Sequence, residues 1–81
     1  MSSLDDAKGI ALRYARQKNP RVKEIEVASA EESLSGDKWI VDVAWPLDEE
    51  GILGRRYARI TITESGEVVG YAPQLHGRGV D

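Results

Sequence analysis

Few residues of this 81-residue chain are of a kind that carries reactions, and they are scattered. The single histidine, His76, lies between Leu75 and Gly77 in a glycine-rich tail. A catalytic imidazole needs a carboxylate to orient it and a rigid element beneath it, and His76 has neither in its neighbourhood. Asp48, Glu49 and Glu50 are consecutive and precede Gly51. Calcium loops space their ligands at alternate positions and close on a distant glutamate, so these three carboxylates read as a solvated loop tip. Cysteine is absent, which removes disulfides, thiolate catalysis and cysteine–zinc sites. No glycine motif that cradles phosphate is present, and no serine or threonine is suitably spaced from the histidine. Glu24, Glu26 and Asp42 can point outward from strands, as solvated carboxylates ordinarily do. The expectation is a chain that is not an enzyme, with no cofactor and no metal.

A second group is of another kind. Arg55, Arg56, Tyr57, Arg59 and Tyr71 combine guanidinium groups with aromatic rings. On an exposed sheet face that combination can stack and neutralise single-stranded nucleic acid. A formal net charge of −3 gives no general attraction to a polyanion. The plainer account is a cross-strand set in which Arg59 stacks on Tyr71. Charge is also unevenly placed along the chain. Lys8, Arg13, Arg16, Lys18, Arg21 and Lys23 occupy residues 8–23 without an acid among them, while residues 24–50 hold nine acids and one base, Lys38.

The elements that must position these groups follow from periodicity. Leu4, Ala7, Ile10, Ala11, Tyr14 and Ala15 recur at helical spacing, with Arg13, Arg16 and Gln17 opposite. Ser3 with Asp6 forms a capping box, Lys18 suits the negative pole of the dipole, and Asn19-Pro20 stops the helix, which is expected over 4–18. Residues 22–30 alternate as a first strand, with Ile25 and Val27 inward. Residues 31–37 are polar and end in Ser35-Gly36-Asp37, a loop. Lys38 to Trp45 is a strand with Trp39, Val41, Val43 and Trp45 on its apolar face and Lys38, Ile40, Asp42 and Ala44 on the other. A third strand spans about 55–63.

The turn after that strand sets a register. A three-residue loop, Glu64-Ser65-Gly66, places Gly66 in the left-handed region and pairs Ile62 with Val68, Thr61 with Val69, Arg59 with Tyr71 and Ala58 with Ala72. Ala58, Ile60, Ile62 and Val68 then face the core. Tyr57, Arg59, Thr61, Val69 and Tyr71 face away. From Pro73 the tail is expected to fray. The predicted fold is α+β: one N-terminal helix packed on a four-stranded antiparallel meander sheet, a single domain over 1–75 and a flexible tail over 76–81. A domain this short buries only about 60–65% of the surface exposed by its unfolded chain.

Hydrophobic residues make up 41% of the chain and charged residues 31%, the balance of a globular domain without a membrane span. The N-terminus lacks the basic and apolar regions of a signal peptide, so the expected location is cytoplasmic with no membrane insertion. The order helix, short strand, Trp-x-Val-x-Val strand, then strand, turn and Gly66-Glu67-Val68 resembles the PepSY-type domain over residues 4–72. That resemblance implies an extracytoplasmic module that inhibits or regulates peptidases. A Trp-bearing strand and Gly66-Glu67-Val68-Val69-Gly70-Tyr71 are similar to the gas-vesicle accessory protein O family, although Ala72-Pro73-Gln74 replaces that family's basic and aromatic continuation. Neither resemblance supplies catalytic residues.

In the predicted register Ile40, Tyr57, Val69 and Tyr71 form an apolar patch beside Ala44 and Arg59 on the face away from the helix. The expected function is a non-catalytic interaction or regulatory module. It would bind a protein partner or a second copy through Ile40, Tyr57, Arg59, Val69 and Tyr71. The alternatives are a nucleic-acid binder using Arg55, Arg56, Arg59 and Tyr71, which is disfavoured, and an accessory subunit of a larger assembly.

Overall fold

The computed structural model describes residues 4–47 and 54–74. Ser3, the Asp48-Glu49-Glu50-Gly51 segment and the tail holding Leu75 and His76 lie outside these residues. Helix α1 runs Leu4–Lys18, followed by β1 (Glu26–Glu32), β2 (Lys38–Pro46), β3 (Arg55–Thr63) and β4 (Val68–Gln74). The strands form one antiparallel sheet in sequence order, with the helix packed on one face. The α+β meander expected from the sequence is the architecture observed.

The helix forms where its pattern places it. Asp5 and Asp6 lie in its first turn and Arg16 and Lys18 in its last, matching the dipole at both ends. Asn19 closes it: its backbone N–H donates to the Ala15 carbonyl at 2.9 Å, and its side-chain Nδ2 donates to the same oxygen at 3.0 Å. Pro20 follows and cannot continue the ladder. The helix buries Ala7, Ala11 and Ala15 completely. Such small side chains bring the helix backbone close to the sheet. Beneath them lie Ile25, Val41, Val43, Trp45, Ala58, Ile60 and Ile62, the core cluster.

Both hairpin turns at one end of the sheet use glycine with positive φ, Gly36 at 78° and Gly66 at 95°. In the β3–β4 turn, Gly66 N–H donates to the Thr63 carbonyl and Thr63 N–H donates to the Glu67 carbonyl, each at 2.9 Å. That is the expected three-residue loop with its glycine bulge. Ile62 accordingly pairs with Val68.

The expected register fails one step further on. Thr61 pairs with Gly70 and not Val69, Ile60 with Tyr71, Arg59 with Ala72 and Ala58 with Pro73. Val69 is an extra residue, a second bulge, and every side chain beyond it changes face. A comparable slip between Val27 and Ser29 leaves Ala28 unpaired in β1. β1 also starts later than expected, at Glu26, and reaches Glu32. Pro73 and Gln74, expected to fray, belong to β4. Proline is accommodated there because β4 is an edge strand. Both edges are thus blunted against strand addition: β1 by its bulge and the exposed Glu31 and Glu32, β4 by its bulge and Pro73.

Candidate functional site

The sheet face away from α1 is the surface on which the chemistry-bearing side chains gather. Helix α1 lies against the opposite face, and among the described residues no other element packs on this one. Strand alternation and the observed registers arrange it in rows. Glu26, Ala44 and Tyr57 form one row; Ser29, Asp42, Arg59 and Ala72 the next; Glu31, Ile40, Thr61 and Gly70 the third. Of the five residues predicted to form the binding patch, the structure brings Ile40, Tyr57 and Arg59 together on this face.

Tyr71 is not among them. The bulge at Val69 turns its ring to the helix side, where it stands edge-on to Tyr14 with centroids 5.5 Å apart and planes at 63°. Its hydroxyl accepts a hydrogen bond from Asn19 Nδ2 at 3.1 Å, so the same amide that caps the helix also holds β4. Lys18 Nζ lies 5.5 Å from the Tyr14 centroid and completes the cluster. Val69, the bulged residue, is 52% exposed at the edge of the sheet and outside the rows of the face. Arg56 is likewise misassigned by the basic-aromatic grouping. It lies opposite Trp45 on the helix side, half-buried, and its Nε is buried without a hydrogen-bond partner.

The centre of the face is an ion pair. Arg59 Nε donates to Asp42 Oδ1 at 3.0 Å and its terminal nitrogen to Oδ2 at 3.2 Å, a two-pronged contact. Ser29 Oγ donates to Asp42 Oδ2 at 3.2 Å from β1. Hydrogen bonding to Asp42, with its charge and that of Glu31, raises the Arg59 pKa above its ordinary value. The predicted stack of Arg59 on Tyr71 is therefore replaced by a pair that sequence alternation alone could have suggested, since Asp42 and Arg59 both point outward from neighbouring strands. Arg55 reaches across β2 to pair with Glu26 of β1. With Lys38, the face carries three bases against the three acids Glu26, Asp42 and Glu31, and is neutral.

Ile40 and Tyr57, both half-buried, flank the ion pair along β2 and β3. Ala44 is 1% exposed although it points away from the helix. β4 contributes little bulk: Gly70 lies under Thr61, whose Oγ1 would stand only 3.2 Å from an added Cβ, and Ala72 lies beside Arg59. A cleft of about 360 Å³ opens at the sheet end, lined by Lys23, Glu24, Ile25, Glu26, Pro46 and Arg55. Its charged residues are exposed, and Glu26 and Arg55 are paired with each other. Among the described residues no three His, Asp or Glu side chains are placed to hold a metal ion, and no helix is long and apolar enough to cross a membrane.

Comparison with known proteins finds no family model, no curated protein and no solved structure that matches this chain. What the chain can do must be derived from its own surface.

Proposed function

We propose that this chain is a non-catalytic interaction module that docks a protein through the outer face of its sheet. The observation that carries this is a four-stranded face, uncovered among the described residues, on which Ile40 and Tyr57 flank the Asp42–Arg59 pair. Blunted edges support face docking over strand addition. The size of the face sets the scale. Two nine-residue and two seven-residue strands, at about 3.3 Å per residue and about 4.8 Å apart, make roughly 500 Å² per partner. That is roughly 1,000 Å² in total, the weak and transient end of specific interfaces.

Nucleic acid is a poorer occupant of this face. Base stacking needs aromatic platforms, and Tyr71 is turned to the helix side while Arg55 and Arg59 are both paired with carboxylates. The test is affinity capture with the parent chain and with Ile40→Lys and Tyr57→Ser, at low and high salt. Protein capture that both variants lose, with unchanged circular dichroism melts, is expected. Capture of nucleic acid that collapses with salt, or protein capture that neither variant alters, would overturn the proposal.

A further inference from the structure

We infer that the occupant of the outer face is a second copy of this chain, stacked face to face about a two-fold axis that runs along the strands between β2 and β3. The inference rests on the outer face being the docking surface. It comes from how charge and bulk are divided across that face. The acids Glu26, Asp42 and Glu31 stand on β1 and β2, with the base Lys38 at the end of β2, whereas β3 supplies the bases Arg55 and Arg59 and no acid. Bulk is divided in the same way. β1 and β2 present Glu31 and Ile40 in a row where β4 presents Gly70, and Ser29 and Asp42 in a row where β4 presents Ala72.

A two-fold axis in the plane of the interface turns the sheet over and exchanges left for right while preserving each row. β2 of one copy then lies over β3 of the other, and β1 over β4. Asp42 falls over the second copy's Arg59, and Arg59 over its Asp42. The two ion pairs form a square in which each charge meets the opposite sign along its own sheet and across the gap. The small Ala44 falls over the second copy's Tyr57. Ser29 and Glu31 fall over its Ala72 and Gly70, where a larger residue would leave no room. Strand directions within about 30° of each other, as in aligned sheet packings, keep these rows in contact.

Charge reversal by halves tests the symmetry directly. Sedimentation equilibrium of the parent chain, up to about 1 mM given the small face, is expected to show a monomer–dimer equilibrium. Arg59→Asp alone and Asp42→Arg alone each set like charges over like, and each is expected to weaken self-association about tenfold or more. An equimolar mixture of the two restores opposite charges at both positions, so it is expected to regain the parent's association as a heterodimer. Circular dichroism melts establish that each variant is folded. Should either unfold, Ile40→Lys, which leaves the ion pair intact, serves in its place and is expected to dissociate the dimer.

A parent chain that stays monomeric overturns the second copy as occupant. If that monomer still captures another protein through Ile40 and Tyr57, the docking face survives; if it captures none, both fail. A parent that dimerises while the mixture remains monomeric overturns this axis.

Discussion

Replacing Tyr71 separates the two possible registers of β4 by several kcal/mol. In the observed register the ring is half-buried against Tyr14 and the core, with its hydroxyl bonded to Asn19. Covering about 100 Å² of that ring contributes roughly 2.5 kcal/mol at about 25 cal/mol per Å². The edge-on aromatic pair adds about 0.5–1.5 kcal/mol and the hydrogen bond about 1 kcal/mol. Tyr71→Ala should therefore cost about 4–5 kcal/mol and Tyr71→Phe about 1 kcal/mol. A chain this size has only about 4–12 kcal/mol of stability in all, so the alanine variant will be marginal and the phenylalanine variant is the safer reporter. Urea unfolding followed by tryptophan fluorescence is the assay. A double-mutant cycle of Tyr14→Leu with Tyr71→Leu should show a coupling of about 1 kcal/mol. In an unbulged register Tyr71 would stand on the open face and its removal would cost no more than about 0.5 kcal/mol, with no coupling to Tyr14. That result would refute the bulge at Val69 and return Tyr71 to the outer face.

Three further outcomes follow from the same geometry. Gly66→Ala forces a Cβ onto a residue with φ of 95° and should cost about 1–2 kcal/mol in urea unfolding, without altering the Tyr14–Tyr71 coupling. Ala11→Leu overpacks the close contact of helix and sheet, where Ala11 is fully buried, and should lower the stability by about 1–3 kcal/mol. Asp37 accepts a hydrogen bond from Ser35 and lies beside Lys38, which together hold its carboxyl below the ordinary value of 3.8. A depressed carboxyl stabilises the fold above the unfolded pKa, and that contribution disappears as the pH falls through the folded one. Ser35→Ala should move the Asp37 titration, followed by NMR, back up toward 3.8.

The outer-face residues illustrate what a local pattern can and cannot convey. Ile40 and Asp42 alternate with the core residues of β2, and Tyr57 and Arg59 with those of β3, so four members of the face were legible from spacing of two. Opposite charge at Asp42 and Arg59 is legible as well, yet a hairpin register continued unbroken from the Gly66 turn pairs Arg59 with Tyr71 instead of the observed Ala72. Arg56 shows the same limit in milder form: a run of bases looks like one patch, but neighbouring strand residues point to opposite faces.

Helix limits, the third strand, the Gly66 turn and the side of the sheet that meets α1 were all determined by the sequence itself. Each depends on contacts between residues close in the chain: the i, i+3, i+4 stripe, the strand alternation, a positive φ that only glycine takes without strain. The bulges at Ala28 and Val69 depend on distant partners. An extra residue in a strand leaves the alternation on either side of it intact and inverts only its parity, so nothing local marks it. At Val69 the parity is decided by what Tyr71 gains on the helix side: the edge of the Tyr14 ring and the amide of Asn19, more than fifty residues earlier in the chain. That choice removes an aromatic ring from the open face and sets the small residues Gly70 and Ala72 in the rows beside Thr61 and Arg59.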